Sequence, residues 1–278
     1  MTSPRPRLPA LPTAGRLMGR VLLVTGGAGG IGRAIALAAA AEGARVVVAD
    51  VQRDGAEATV AQITAADGEA AFVPCDVADP AQVRALIGTA VGRFGRLDVL
   101  VNNAGIGGDN APAHDLDLAV WDRVLAVNLR GPFLCAREAL PHLMRSGSGV
   151  IVNVASTYGL IGAPQAPAYC ASKGGLVNLT RQLAVDYGPR GVRVNAVCPG
   201  YVDTDMGGRR ASLPPEASRA ANAQREASAA RQPLGRQAYA SEIAQAVVFL
   251  SSGSSSFMTG SIVTVDGGCT ATFNHGGD

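Results

Sequence analysis

Short apolar runs alternate with longer segments of helical periodicity between residues 21 and 265. In such an alternation each apolar run is a strand buried on both faces, and each amphipathic segment is the helix that leads to the next parallel strand. The pattern predicts an α/β fold with a doubly wound parallel sheet and helices on both faces. Seven strands are expected, at residues 21–24, 45–49, 71–73, 99–101, 150–154, 193–197 and 262–265. Helices are expected near residues 31–42, 54–66, 81–94, 118–143, 168–187 and 241–250.

The chain has 278 residues, close to the size at which a single hydrophobic core stops growing, so we expect one domain over residues 20–278. Residues 1–19 hold four prolines and no apolar run, which predicts a flexible N-terminal arm and not a secretory signal. Residues 205–237 follow the sixth strand and are rich in alanine and proline. Insertions at this edge of a parallel sheet are commonly lids, so we expect a substrate lid, with a disordered surface loop as the alternative.

Charge and cysteine content limit the partners of the chain. The 24 basic and 22 acidic residues leave a net charge of +2, which gives no field to attract nucleic acid or an anionic membrane. No apolar run approaches the length of about 18 residues that crosses a membrane, so we expect a soluble protein of the cytoplasm. The five cysteines and three histidines lack the spacing of metal ligands, and the odd cysteine count is expected to be reduced. No metal is expected.

One basic residue differs from all the others. Of the 24 lysines and arginines, every one except Lys173 is an arginine. A guanidinium stays charged, whereas a compact ammonium has a pKa that its surroundings can move. The single lysine therefore indicates a site where arginine cannot take its place.

A cluster of glycines directly follows the first predicted strand and opens the first helix. It reads Thr25-Gly26-Gly27-Ala28-Gly29-Gly30-Ile31-Gly32. Glycines at such a turn let the backbone approach a pyrophosphate and aim the free N–H groups of the helix at it. Glycine clusters are common in tight turns, but a preceding strand, a following helix and an acidic residue 18 positions beyond Gly32 are typical of a Rossmann-type dinucleotide site. That acidic residue is Asp50.

The position of Asp50 predicts NAD as the cofactor. Its carboxylate can accept hydrogen bonds from the hydroxyls of an adenosine ribose, whereas it repels the additional phosphate of NADP. Two like charges about 4 Å apart repel by roughly 4 kcal/mol at an effective dielectric constant near 20, and by less where water and salt intervene. Residue 51 is Val, and we expect the nearby Arg53 to be a solvated residue at the start of a helix.

Tyr169 and Lys173 lie four residues apart in the predicted sixth helix, so their side chains share one helical face. A phenol is a poor base at neutral pH, but an adjacent ammonium stabilises the phenolate and lowers its pKa. Tyr169 could then exchange a proton with an alcohol or ketone oxygen. An exposed helical pair is the alternative for this spacing alone.

With these motifs the chain resembles the short-chain dehydrogenase/reductase family, from residue 21 to about residue 268. The family's glycine turn is matched by Thr25, Gly26, Gly30, Ile31 and Gly32, and its N-N-A-G segment is present at residues 102–105. The resemblance implies four catalytic residues, which are Asn128, Ser156, Tyr169 and Lys173.

The resemblance also implies a role for each of the four. Tyr169 is the general acid and base, and Ser156 holds and polarises the substrate oxygen. Lys173 lowers the pKa of the phenol and binds the nicotinamide ribose, and Asn128 positions a water that links Lys173 to solvent. The chemistry needs such a set, because a proton must move at oxygen while a hydride moves at carbon.

Further cofactor contacts are implied at the carboxyl ends of the strands. Asp76 and Val77 match the family's adenine contact, and the segment from Pro199 to Thr204 matches the one that holds the nicotinamide carboxamide. The complete expected cofactor set is Thr25, Gly26, Gly29, Gly30, Ile31, Gly32, Asp50, Val51, Asp76, Val77, Asn103, Ala104, Gly105, Tyr169, Lys173, Pro199, Gly200, Val202 and Thr204.

The expected function is NAD(H)-dependent interconversion of a secondary alcohol and a ketone, with NADPH-dependent reduction of a 3-oxoacyl-type ketone as the alternative. Ser156, Tyr169 and Tyr201 are expected to contact the small-molecule substrate, beside lining residues at 106–109, 157–163 and 165. Arg209 and Arg210 could meet a carboxylate or a carrier phosphate, although solvated positions are favoured. The resemblance further implies a homotetramer.

Overall fold

A computed structural model of the chain describes residues 15–204 and 213–272. Within them, seven parallel strands form one sheet in the order β3-β2-β1-β4-β5-β6-β7. This confirms the predicted α/β architecture. The strands are β1 (Val21–Thr25), β2 (Arg45–Asp50), β3 (Ala70–Pro74), β4 (Val99–Asn102), β5 (Gly149–Val154), β6 (Val192–Pro199) and β7 (Ile262–Val265).

Helices cover both faces of this sheet, which explains why the central strands are apolar throughout. Every residue of β1, β4 and β5 is buried. One apolar cluster packs between the sheet and α3 and α5, and a second packs between the sheet and α1 and α8. The α-helices are α1 (Gly30–Ala41), α2 (Arg53–Ala65), α3 (Pro80–Phe94), α4 (Leu118–Leu125), α5 (Gly131–Arg145), α6 (Pro167–Tyr187), α7 (Pro215–Ala230) and α8 (Ala240–Ser251).

The helix expected at residues 118–143 contains a local change of winding. Between α4 and α5, residues Ala126–Arg130 form a π-helical turn. Pro132 has no N–H to donate to the carbonyl of Asn128, so the regular α-helical bonding pattern cannot continue here. The wider turn holds Asn128, one of the four predicted catalytic residues.

The N-terminal boundary expected from the sequence is wrong for residues 15–19. Leu17 is fully buried in the cluster beneath α1, and its N–H donates to the carbonyl of Glu42 at 3.0 Å. Arg16 forms an ion pair with the Glu42 carboxylate at 2.5 Å. One buried leucine and one ion pair attach this segment to the end of α1, which the proline-rich composition did not indicate. The rest of the predicted arm, residues 1–14, lies outside the described residues.

Replacing Leu17 by Ala is expected to destabilise the protein by about 2–5 kcal/mol, because a fully buried leucine is removed from a packed cluster. Met18 provides the matched control, since it is 74% exposed and its replacement by Ala is expected to cost much less. Urea unfolding of the two variants measures the difference. Equal midpoints for Leu17→Ala and the parent protein would show that residues 15–19 are not part of the core.

The stretch expected to be an irregular lid is partly helical. Residues 215–230 form α7, whose alanines favour a helix and whose Pro215 occupies the first turn, where a missing N–H costs nothing. The disordered-loop alternative is therefore wrong for these residues. The predicted positions Arg209 and Arg210 lie at residues 205–212, outside the described part of the chain. Across the described ranges, no helix is both long and apolar enough to cross a membrane.

Candidate active site

The predicted site residues meet at the carboxyl edge of the sheet. The strand order reverses between β1 and β4, so the connections after these two strands diverge and leave a crevice. The glycine turn follows β1, Asp50 ends β2, and the residues around Ser156 and Pro199 follow β5 and lie at the end of β6. The fold thus brings segments distant in sequence to one edge.

Two glycines of the turn are required by the packing of the protein itself. Gly26 has φ of +69°, and a Cβ on it would lie 2.8 Å from the Cα of Ala104. A Cβ on Gly32 would lie 2.0 Å from the carbonyl oxygen of Gly26. Any side chain at either position therefore forces the turn away from the end of β4.

Gly29 and Gly30 differ from those two, because both are exposed. Gly29 has extended backbone, with φ of −163°, and a Cβ on it would meet nothing within 4 Å. No side chain among the described residues caps the first turn of α1, which continues with Ile31. An open helix N-terminus with clear space before it fits a pyrophosphate.

Asp50 is oriented by two backbone groups beside this turn. Its Oδ2 accepts the N–H of Ala28 at 2.9 Å, and its Oδ1 accepts the N–H of Gln52 at 2.9 Å. The neighbouring Val51 side chain is 66% exposed and open to a ligand. The remaining lone pairs of the Asp50 carboxylate can accept ribose hydroxyls.

The arginines near Asp50 are engaged by other groups. Arg53 is mostly exposed, pairs with Glu57 at 2.8 Å and lies over the ring of Phe72. Arg33 directly follows Gly32, and the sequence reasoning overlooked it. Its guanidinium donates to the carbonyl of Ala28 at 2.5 Å, to that of Gly55 and to the Thr59 hydroxyl. Arg33 thus stabilises the glycine turn by linking it to the first turns of α2.

Thr25 and Asn103 hold the glycine turn against β4. The Thr25 hydroxyl accepts the N–H groups of Asn103 and Ala104 at 3.0 and 3.1 Å. The Asn103 amide donates to the carbonyls of Thr25 and Gly26 at 2.9 and 3.1 Å. Both side chains therefore position the predicted cofactor loop through internal hydrogen bonds.

Asp76 and Val77 follow β3 on the predicted adenine side of the crevice. The Asp76 carboxylate accepts the N–H of Ala78 at 2.9 Å and pairs with Arg123 at 3.0 Å. Val77 is 6% exposed and packs against Gly131, so its side chain belongs to the core. Only its backbone is available to an adenine.

Asn128 is fully buried in the π-helical turn. Its Oδ1 accepts the N–H of Ile106, and its Nδ2 donates to the Ile106 carbonyl, both at 2.8 Å. The same Nδ2 lies 3.2 Å from the Ser172 hydroxyl. These bonds join the turn after β4 to α6. The Asn128 Oδ1 and the Lys173 amine lie 3.3 and 3.5 Å from where a Cβ of Gly105 would stand.

Tyr169 and Lys173 share a face of α6, as their spacing predicts. The Lys173 amine lies 5.7 Å from the centroid of the Tyr169 ring and donates to the carbonyl of Val154 at 2.9 Å. Burial lowers the pKa of Lys173 to about 8. The only lysine of the chain therefore stays mostly charged at neutral pH and loses its proton as the pH rises through about 8.

The Tyr169 phenol differs from the sequence-based expectation of a lowered pKa. Burial raises the pKa of Tyr169, and the neighbouring Ser156 hydroxyl and, less strongly, the Arg225 guanidinium lower it. Ser156 is 8% exposed, and its Oγ accepts the N–H of Tyr158 at 3.1 Å. Because removal from water outweighs these partners, the protonated phenol is the favoured form here.

The segment after β6 lies against the rest of the site. Gly200 follows the buried Pro199, and a Cβ on Gly200 would lie 2.8 Å from the Cα of Asp266. Val202 is buried and forms an isolated bridge with Ala238. The Thr204 side chain lies 3.3 Å from where a Cβ of Gly30 would stand, so this segment borders the open glycine turn.

Tyr158 and Arg225 lie near Tyr169, and the sequence assigned no individual role to either of them. Tyr158 fell within the expected lining range 157–163, and its ring meets that of Tyr169 edge-on at 6.3 Å. Arg225 lies on α7 and donates to the carbonyl of Val202 at 2.7 Å. No signal in the sequence places Arg225 here, because its position depends on where α7 packs.

Comparison with known proteins gives the following similarities. The family model described as "Enoyl-(Acyl carrier protein) reductase" matches residues 26–270. The chain is 46% identical over 252 residues to cis-4-hydroxycyclohexanecarboxylate dehydrogenase of Sinomonas cyclohexanicum, covering 91% of this chain and 97% of the relative. It is 45% identical over 256 residues to 2-(S)-hydroxypropyl-CoM dehydrogenase 3 of Xanthobacter autotrophicus, covering 92% and 98%. The crystal structure of levodione reductase matches with a TM-score of 0.87 and 41% identity, over 92% of this chain and 100% of that one.

Proposed function

Because the chain belongs to the short-chain dehydrogenase/reductase family, we propose that it is an NAD(H)-dependent enzyme that interconverts a secondary alcohol and a ketone. It is an oxidoreductase that acts on CH–OH groups and uses a nicotinamide cofactor. The observation that carries the proposal is the convergence of Ser156, Tyr169 and Lys173 at the edge where the glycine turn opens.

In alcohol oxidation each of these side chains has one task. The Ser156 hydroxyl donates a hydrogen bond to the substrate oxygen and holds it beside Tyr169. The Tyr169 phenolate accepts the hydroxyl proton as the C–H electron pair leaves the carbinol carbon with its hydrogen, and the C=O bond forms. In ketone reduction the phenol returns that proton to the oxygen. A bound nicotinamide supplies the acceptor or the donor of the hydride.

Lys173 and Asn128 support the proton transfer. We propose that the Lys173 ammonium, 5.7 Å from the centroid of the Tyr169 ring, favours the phenolate, which burial disfavours. The Asn128 Oδ1 and the Lys173 amine lie on the same side of Gly105, and we assign Asn128 to hold a water that links Lys173 to solvent. The π-helical turn and the two bonds to Ile106 fix Asn128 for this role.

Asp50 supports NAD as the partner. Its carboxylate stands beside the glycine turn, and the nearby Arg33 and Arg53 are held by other groups. A 2′-phosphate on the ribose would therefore face a carboxylate without an obvious compensating cation. The repulsion between this phosphate and the Asp50 carboxylate is roughly 4 kcal/mol at an effective dielectric constant near 20. Water reduces it, because Asp50 is partly exposed.

Calorimetric binding of NADH and NADPH at identical salt tests this assignment. We expect NADH to bind at least tenfold tighter to the parent protein, and Asp50→Ser to narrow that gap by about ten- to a hundredfold. Asp54→Ser removes the same charge from the exposed first turn of α2 and is the matched control. Tighter binding of NADPH to the parent protein would favour the reductase of the 3-oxoacyl type instead.

A substitution at Gly29 tests the cofactor cradle separately from the fold. Gly29→Val is expected to leave the melting temperature unchanged, because the backbone is extended and the space is open. It is expected to weaken NADH binding by about a hundredfold or more, since the new side chain stands where the pyrophosphate approaches the helix. Gly88→Val, at an exposed position of α3 that is equally open, is the control. Unchanged NADH affinity in Gly29→Val would place the pyrophosphate elsewhere.

Relatives named for their substrates indicate where a substrate search begins. The similar proteins are named for a hydroxycyclohexanecarboxylate, a hydroxypropyl thioether of CoM and threitol, each of which carries a secondary alcohol and a further polar group. We therefore propose a small alcohol or ketone of this kind as the substrate, with cis-4-hydroxycyclohexanecarboxylate as the first compound to assay.

We also propose that the protein is a homotetramer. The helices α4, α5 and α6 carry an almost wholly apolar groove of about 490 Å³, whose lining includes Leu125, Leu129, Phe133 and Leu179. Phe133 is 45% exposed in the single chain. An exposed apolar groove of this kind is typical of an interface, which agrees with the homotetramer that the resemblance to the family implies.

A further inference from the structure

Two tyrosine hydroxyls meet beside the proposed catalytic residues. The Oη atoms of Tyr158 and Tyr201 are 3.1 Å apart, although the residues lie in different loops after β5 and β6. Both side chains are only partly buried. The pair therefore joins two walls of the crevice and remains accessible from it.

The pair is next to the reacting position. The Tyr158 ring meets the Tyr169 ring edge-on, at 89° and with centroids 6.3 Å apart. The Tyr158 N–H donates to the hydroxyl of Ser156. A substrate whose oxygen lies between Ser156 and Tyr169 thus has the two phenols within the reach of a small ring or chain.

The contact between the two phenols uses only one of their two O–H groups as a donor. Each phenol has one O–H, and one proton suffices for the contact between the two oxygens. Neither hydroxyl has another partner in the described ranges 15–204 and 213–272. Whichever phenol donates to the other, the second O–H is available to a ligand.

Charge and burial decide what this donor can bind. Burial raises the pKa of Tyr158, and its hydrogen bond with Tyr201 raises it further, so the phenol stays protonated. A neutral O–H that stays protonated is suited to an oxygen acceptor and unsuited to an ammonium group.

We propose that Tyr158 and Tyr201 form a second substrate subsite, which binds an oxygen acceptor carried by the alcohol in addition to its reacting hydroxyl. This inference rests on the proposed function and deepens it. The substrate class is a secondary alcohol with a second acceptor group, either a carboxylate or a neutral carbonyl. The two tyrosines then determine specificity, while Ser156 and Tyr169 carry out the chemistry common to all substrates.

Three matched alcohols test the subsite. These are cis-4-hydroxycyclohexanecarboxylate, 4-hydroxycyclohexanone and cis-4-methylcyclohexanol, which differ in the group opposite the hydroxyl. The kcat/KM of each is measured with NAD for the parent protein and for Tyr158→Phe, Tyr201→Phe and the double variant. Tyr187→Phe, at the far end of α6, is the control. Affinities of the two compounds without a ketone, the hydroxy acid and the methyl compound, are measured by calorimetry in the presence of NADH and provide a readout that does not depend on turnover.

We expect each Tyr→Phe variant to lower the preference for the hydroxy acid over the methyl compound about tenfold or more, because a hydrogen bond to a charged group is lost. The preference for the hydroxyketone is expected to fall a few-fold. A loss confined to the hydroxy acid identifies a carboxylate site, and a loss shared by both acceptors identifies a general oxygen site. The double variant is expected to lose less than the sum of the single effects.

Two results would contradict the proposed subsite. The first is a preference for the hydroxy acid over the methyl compound that changes in neither variant. The second is an equal loss of kcat/KM for all three compounds, which indicates a purely structural role of the tyrosines. Failure of the proposed function is recognised differently. It is the absence of turnover of every alcohol by the parent protein with either cofactor. The preferences in the calorimetric affinities still decide the subsite in that case.

Discussion

Tyr169→Phe is expected to lower kcat by about a thousandfold or more while NADH affinity and the melting temperature stay at the parent values. A positioned general acid or base contributes about 10²- to 10⁴-fold, and the phenol oxygen is the one atom that the substitution removes. The ring itself still packs against Tyr158 and lies under Lys173. Stopped assays of both reaction directions measure the loss, and Tyr187→Phe controls for loss of a phenol elsewhere.

The pH dependence gives a second check on the role of Tyr169. Burial raises the pKa of this phenol, so the phenolate needed for alcohol oxidation becomes more populated as pH rises into the alkaline range. Oxidation is therefore expected to accelerate with rising pH, whereas ketone reduction, which needs the protonated phenol, is expected to slow. A Tyr169→Phe variant that keeps parental activity, or identical pH profiles in the two directions, would rule out this residue as the acid and base.

The fold was predictable because its signal is distributed over the whole chain. Every central strand is a short apolar run, and every predicted helix has a counterpart in the structure. The expected strand at residues 99–101 matches β4 to within one residue. A wrong assignment at a few positions does not change the predicted fold, because the architecture requires every central strand to be buried on both faces and does not depend on any one residue.

Local departures from the prediction have separate physical causes. Leu17 joins the core through a single buried side chain, which no periodic pattern could reveal. The π-helical turn depends on the missing N–H of Pro132, and its position could have been read from the proline. The helix α7 is signalled by its alanines, but they were outweighed by the prolines around it.

The candidate site was predictable where a motif fixes residue types, and less so where loops meet. Spacing alone brings Tyr169 and Lys173 together, because both lie on one helix. The approach of Tyr158 to Tyr201 joins two loops whose relative position depends on β5 and β6. The direction of the Tyr169 pKa shift could not be predicted from the motif either, because it depends on the burial of the phenol, which the motif does not specify.

Lys173→Met is expected to reduce kcat by at least about a hundredfold, because the ammonium that favours the Tyr169 phenolate is lost. The same substitution is expected to raise the free energy of unfolding at neutral pH. Burial lowers the pKa of Lys173 from 10.5 to about 8, which corresponds to roughly 3 kcal/mol against the charged form in the folded protein. The loss of the bond to the Val154 carbonyl offsets part of the gain on substitution.

The sign of the pH dependence follows from these two pKa values. Below about pH 8 the lysine is charged in both the folded and the unfolded protein, and the full cost of burying the charge is present. Between about 8 and 10.5 only the unfolded chain binds the proton, so the parent protein gains stability relative to Lys173→Met as pH rises. Unfolding free energies of both proteins at pH 7 and pH 10 measure this shift. Since Lys173 is the only lysine, isotope-labelled lysine gives one NMR signal, and a midpoint near 10.5 in the folded protein would contradict the buried, poised amine.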